Sequence, residues 1–182
     1  KEDDFQNGFG CAIVSIDSSS SPKVATLDFG TGCTDAQGRT YSGVIQITYT
    51  DPDMGHSGNH ISAVFNHFNF DSISFDGTFD YYNNGTNNAG NMIGSLAITG
   101  QTNFVIDKVN LNGTTNVSFE WVAARNTAYL NIGGTGTDSN GIAFTQSTIS
   151  SISLNQNSGC KDHFTAGKLL IQSPGLSDET ID

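Results

Sequence analysis

Apolar and polar residues alternate with period two along most of the chain. Across residues 41–50, Ile45, Ile47 and Tyr49 fall on one side, and Gln46 and Thr48 on the other. Ile73 and Phe75 alternate with Ser72 and Ser74, and Val117, Phe119 and Trp121 alternate with Ser118 and Glu120. Leu96 and Ile98, Ile142 and Phe144, and Leu169 and Ile171 repeat the pattern. Side chains of a strand point alternately to the two faces of its sheet, so this pattern predicts strands with one face wet. No eleven-residue stretch carries the 3.6-residue spacing of an amphipathic helix.

Turn signals agree. Asp76-Gly77, Asn84-Gly85, Asn112-Gly113 and Asn140-Gly141 are dipeptides that accept positive φ, and they predict tight hairpin turns. The reading is about ten to twelve strands joined as antiparallel hairpins, because no helical crossover is present to make parallel pairs. The expected fold is all-β: one antiparallel, sandwich-like domain over residues 11–182, with a barrel as the alternative. The polar, acidic residues 1–10 form a flexible N-terminal tail ahead of it.

Composition narrows the function. The 182 residues carry a formal net charge of −11, so no basic stripe exists to neutralise nucleic acid phosphates. Charged residues are only 14% of the chain and hydrophobic ones 36%, which argues against disorder. No run of about 18 apolar residues is present to span a membrane. The three cysteines, Cys11, Cys33 and Cys160, form no CxxC pair, so zinc held by cysteine is not expected. With abundant Asn, Ser, Thr and Gly and little Lys, the chain reads as extracytoplasmic, where one intrachain disulfide is expected.

Residues 11–17 read CAIVSID, Pro22 follows, and residues 26–33 read TLDFGTGC. Gly38-Arg39 and Ser42-Gly43 lead into a strand, and residues 136–144, Cys160 and residues 164–167 continue the series. Together these segments resemble a group of mostly uncharacterised secreted or lipid-anchored proteins of Bacteroidetes. The resemblance covers most of residues 11–182 and is loose between about 51 and 135. It implies an all-β fold on the cell surface, anchored to the outer membrane or secreted, with no established activity. It also implies that Cys11 pairs with Cys33. Such proteins carry a second TID[FY]GxGxC segment, whose first residues are echoed by Thr180-Ile181-Asp182. On that basis the native chain is expected to continue, with a further cysteine for Cys160, and any lipid anchor lies upstream of Lys1.

Candidate sites are few. Asp51, Asp53, His56 and His60 put two carboxylates and two imidazoles within ten residues, a set that could hold Ca²⁺ or Zn²⁺. The spacing matches neither HExxH nor an EF-hand, and a solvated hairpin loop explains it as well. Asp138-Ser139-Asn140-Gly141 offers oxygen ligands but reads first as a turn. Asp28 and Asp182 precede a glycine-rich turn or its counterpart and are expected to bond backbone N–H groups. His163 lies three residues from Cys160, on the opposite face of a strand, which argues against a thiol nucleophile. If Phe68 and Phe70 face inward, Phe65 and His67 face outward and, with Tyr81 and Tyr82, make an aromatic patch that could stack on sugar rings. No nucleophile elbow, P-loop or dinucleotide fingerprint is present. The expectation is a non-enzymatic extracytoplasmic protein without a cofactor. The alternatives are a carbohydrate- or protein-binding module acting through exposed aromatics, and a hydrolase using acidic residues.

Overall fold

A computed structural model describes residues 11–51, 53, 55–104, 109–155 and 164–181. The tail at 1–10, Cys160, His163 and Asp182 lie outside the described residues. The strands are β1 (Ile13–Asp17), β2 (Lys23–Asp28), β3 (Cys33–Thr34), β4 (Thr40–Tyr49), β5 (His60–Phe70), β6 (Ile73–Thr86), β7 (Met92–Phe104), β8 (Val109–Val122), β9 (Thr127–Thr137), β10 (Ala143–Asn155), β11 (Ala166–Gln172) and β12 (Glu179–Ile181). They form one antiparallel sheet in the order β1-β2-β4-β5-β6-β7-β8-β9-β10-β11-β12, with β3 paired to β4. The expected all-β, antiparallel class holds, and the sheet is not closed into a barrel. The strands expected to pack as a sandwich belong to one continuous hydrogen-bonded sheet.

Only one of the four Asn-Gly or Asp-Gly pairs makes the turn it predicted. Asp138 begins the loop between β9 and β10, and its Oδ1 accepts from the Asn140 and Ile142 N–H groups at 2.8 Å each. The Ile142 and then the Asn140 N–H groups hold the Asp138 carboxyl below the usual range. The other three pairs lie inside the strands β6 and β8. Other turns are closed by short acidic or amide side chains at strand ends, as at Asp17, whose Oδ1 takes the Ser19 N–H at 2.9 Å, and Asn87, which takes the Ala89 N–H at 3.0 Å. Asp28 behaves the same way and accepts the Gly30 N–H at 2.7 Å.

The displaced glycines have another task. Gly77 stands opposite Gly100, Gly100 opposite Gly113, and Gly113 opposite Gly136, a row across four strands. Each precedes or follows a threonine, and Thr78, Thr99, Thr114, Thr135 and Thr145 form the neighbouring row on the opposite face. A Cβ at Gly100 would stand 2.7 Å from the Gly77 Cα, and one at Gly113 would stand 2.7 Å from the Gly136 Cα. The backbones approach too closely there for any side chain. Large side chains lie down over these and neighbouring glycines. The Phe144 ring would be 2.6 Å from a Cβ on Gly136, the Gln146 amide 2.9 Å from one on Gly134, and Phe119 covers Gly94.

The densest core lies at the other end of the sheet. Leu27, Phe29, Ile45 and Ala63 are buried, with Val14, Tyr41, Ile47 and Phe65 packed against them. Here β2 and β3 both flank β4, at residues 44–49 and 40–41. Between them residues 29–32 leave the ladder, and Phe29 turns onto Tyr41 at 5.2 Å and Phe68 at 5.6 Å between ring centroids. Gly43, at φ +87°, ties this loop down, donating to the Gly30 carbonyl at 3.1 Å and accepting the Phe29 N–H at 2.9 Å, and its missing Cβ leaves room for the Asn66 and His67 backbone of β5. A disulfide joins Cys11 to Cys33 and ties the start of β1 to the end of the loop.

Two measurements test these constraints. Gly113→Ala is expected to destabilise by roughly 1–3 kcal/mol through overpacking. Gly133→Ala, whose Cβ would find its nearest atom 4.0 Å away, should stay neutral or gain up to about 1 kcal/mol. Equal shifts in urea midpoint for the two would contradict the close approach. Cys33→Ser opens a covalent loop of sequence separation 22 and should cost about 3 kcal/mol in urea unfolding, with added reductant having the same effect on the parent chain.

Candidate functional site

The predicted aromatic patch divides between the two faces of the sheet. The register slips between Phe65 and Phe68 on β5, because Asn66 and His67 form a bulge opposite β6. His67 adopts φ +48°, and its side chain is 92% exposed near Asp76, with Nδ1 at 3.3 Å from Oδ1. The bulge uses up the alternation, so Phe65 joins Phe68 in the core at 5.6 Å and meets Phe75 edge-on at 5.0 Å. Tyr81 is also inward, 4% exposed and stacked on Phe119 at 6.0 Å, and burial pushes its phenol pKa up. The inward placement of Phe65 and Tyr81 corrects the expected outward cluster.

Of the four, His67 and Tyr82 stay exposed, and Tyr82 is the larger, propped ring. Its ring is 41% exposed and lies parallel to the His60 imidazole, with centroids 4.1 Å apart and planes within 3°. His60 is held in turn, its Nε2 at 3.1 Å from Asp80 Oδ1. The ladder explains this prop: His60 stands opposite Tyr82, and Asp80 lies two residues away on the same face of β6.

The pairing of His60 with Asp80 separates the proposed metal ligands. His56 instead bonds Asp51 through Nδ1 and lies 3.6 Å from Asp53 through Nε2. Asp53 Oδ1 already accepts the Gly55 N–H at 2.9 Å, and Asp51 Oδ1 the Asp53 N–H at 2.8 Å. Among the described residues no three His, Cys, Asp or Glu side chains gather where one ion could sit. Asp51, Asp53 and residues 55–58 are therefore organised around Asn59, whose amide donates to the Asp51 and Asp53 carbonyls at 2.9 Å each.

From Tyr82 a polar groove crosses four strands. Tyr82 stands opposite Ser95, Ser95 opposite Ser118, and Ser118 opposite Asn131. The adjacent row on this face runs Ile93, Glu120, Tyr129. Two cavities of about 560 and 600 Å³ share Ser118 and Asn131 and reach from Tyr82 to Tyr129. Three inter-strand steps and two residues along the strand put these tyrosines about 16 Å apart. Ser151 donates to Asn131 Oδ1 at 2.8 Å. Glu120 Oε1 accepts the Asn87 and Asn91 amides at 2.8 and 2.6 Å, which holds the carboxylate in place. The groove thus presents hydroxyls, an amide and one anchored carboxylate between two rings. Sequence reading missed Ser95, Ser118, Asn131 and Tyr129; the available signal was their shared position as polar members of adjacent alternating strands.

No family model matches the chain, and no curated protein or solved structure is detectably similar to it. No helix among the described residues is long and apolar enough to cross a membrane.

Adding millimolar Zn²⁺ or Ca²⁺ should leave the thermal unfolding midpoint unchanged, because His60 is held by Asp80 apart from His56, and Asp51 and Asp53 already accept backbone N–H groups. A rise of several degrees, abolished by His56→Ala, would show that the loop closes around an ion.

Proposed function

We propose that the protein is an extracytoplasmic, non-catalytic module that binds neutral glycans along the Tyr82–Tyr129 groove. The observation that carries this reading is the propped ring of Tyr82 at the end of a groove lined by short polar side chains. A sugar ring offers an apolar C–H face and a rim of hydroxyls. Tyrosine serves the first and Ser95, Ser118 and Asn131 serve the second. Stacking of Tyr82 on His60 fixes the ring before binding, so less side-chain entropy is lost on association.

The single groove carboxylate, Glu120, already accepts two amide hydrogen bonds. Hydrolysis of a glycosidic bond commonly takes two carboxylates facing each other, so binding suits this lining better than cleavage. The Cys11–Cys33 disulfide fits an oxidising compartment, and the sequence resemblance to surface proteins of Bacteroidetes points to the same place. On this reading the chain is displayed at the cell surface or secreted, and its partners are glycans rather than nucleic acid.

A glycan array probed with the full chain should return neutral, linear oligosaccharides. Tyr82→Ala should then weaken the best hit by up to about tenfold in calorimetry, and His60→Ala by less. An array without hits, or a hit indifferent to Tyr82→Ala, would overturn the assignment.

A further inference from the structure

The glycine row leaves an apolar slot on the face of the sheet opposite the Tyr82 groove. Gly77, Gly100, Gly113 and Gly136 stand side by side on β6 to β9. The two outer ones are covered. The tip of the Phe75 ring would be 3.0 Å from a Cβ on Gly77, and that of Phe144 2.6 Å from one on Gly136. The two inner ones are bare, since the atoms nearest a Cβ on Gly100 or Gly113 all belong to the backbone. A space of about 360 Å³ therefore opens between two phenyl rings, floored by peptide. Its size falls within the usual range of ligand pockets, about 300–1,000 Å³.

The register keeps the side chains of the slot on one face, because cross-strand pairs and two-residue steps along a strand both preserve it. Phe75 lies two residues from Gly77, and Phe144 pairs with Gly136. The next row on this face runs Ile98, Thr115, Gly134, Gln146, Ile171, each opposite the one before. Asn112, Thr114 and Thr135 border the slot from the strand backbone, their side chains being turned to the other face.

The walls are fixed before a ligand arrives. Phe65 meets Phe75 edge-on at 5.0 Å and joins it to the aromatic core. Gln146 Nε2 donates to the Thr115 hydroxyl at 2.6 Å, which leaves the amide carbonyl to accept and the hydroxyl to donate. Among the described residues no ionisable side chain lines the slot, and Glu179 stands opposite Ile171 on the same face. In a chain of net charge −11 an anion is repelled there. A cation would lose its water against apolar walls. A cavity of about 150 Å³ with such a lining takes benzene, so the slot suits a molecule of about two or three rings.

We propose that this slot binds an uncharged, flat ring compound carrying one hydrogen-bonding group. The rings lie on Gly100 and Gly113 between Phe75 and Phe144, and the polar group meets Gln146 and Thr115. The site does not depend on the glycan reading, since Tyr82 and its groove lie on the other side of the sheet.

The probe is N-phenylnaphthylamine, whose fluorescence rises when it leaves water and whose single N–H suits the Gln146 carbonyl. Titrated into the full chain, it should saturate at one site per chain. Anilinonaphthalene sulfonate has the same rings and a fixed negative charge, and should bind about tenfold more weakly. Thr115→Trp fills the slot and should abolish binding. Thr135→Trp, on the opposite face, should leave it unchanged, and so should Tyr82→Ala. Where Thr115→Trp lowers the urea midpoint, Ile171→Asp decides. It lies on β11, next to the edge strand β12, and should weaken the probe about tenfold by placing a charge in the apolar wall. Absence of a saturable site, equal binding of the sulfonate, or unchanged binding in both slot variants would each overturn the proposal. So would a chain that dimerises in sedimentation and excludes the probe, because a second copy would then cover this face.

Discussion

A single sheet has no second layer to cover its apolar face, and the close packing of side chains over glycine answers that constraint here. At Gly94, Gly136 and Gly134 the neighbouring strand lays a large side chain across the gap. Phe119 lies over Gly94, Phe144 over Gly136, and Gln146 over Gly134 to reach the Thr115 hydroxyl at 2.6 Å. The bond from Gln146 to Thr115 passes across an entire intervening strand. Such contacts bring atoms of β8 and β10 together on one face and favour a curled sheet over a flat one. A core assembled from one sheet is thin: among the described residues Leu27 is the one large side chain that is fully buried.

The two ends of the sheet solve the same problem differently. Near β2 and β4 the chain folds back over itself: Phe29 leaves the ladder and packs on Tyr41 and Phe68, and the Cys11–Cys33 disulfide closes the fold-back. From β6 onward no such flap is present among the described residues, and glycine and threonine replace large apolar residues in the middle of the strands. The consequence for function is direct. Where a flap fills the concavity there is a core. Where glycine leaves it open there is a recess lined by Phe75, Ile98, Phe144 and Ile171. The opposite face, carpeted with serine, threonine and asparagine, stays flat enough for a groove to run from Tyr82 to Tyr129.

Much of the architecture was legible in the chain. Alternation around Ile45, Ile47 and Tyr49 placed β4 to within a residue, and that around Val117, Phe119 and Trp121 placed the end of β8. The turn-capping role expected of Asp28 is present in the bond to Gly30. The site was less legible. The alternation through residues 65–70 predicted an outward Phe65, but a one-position bulge at His67 reversed it, since period-two patterns carry no memory across a bulge. The dipeptides Asp76-Gly77 and Asn112-Gly113 look like hairpin turns locally, yet they sit in mid-strand because their glycines meet across the ladder. Four in-register Gly-Thr or Thr-Gly pairs were a usable signal, though only once the register was known.

The sequence by itself determined that the protein is all-β, antiparallel and acidic, because alternation, turn residues and charge are local properties that need no partner. It also determined which residues are able to cap turns, since a short side chain bonds backbone two residues away whatever the fold. Tertiary structure alone decided which aromatic rings are buried, which imidazole meets which carboxylate, and where glycine opens a space. Those outcomes depend on register between strands that are distant along the chain. A shift of one residue in pairing moves every side chain of a strand to the other face. Tyr82 therefore became a platform and Tyr81 a core residue, though they are adjacent in sequence and carry the same chemistry.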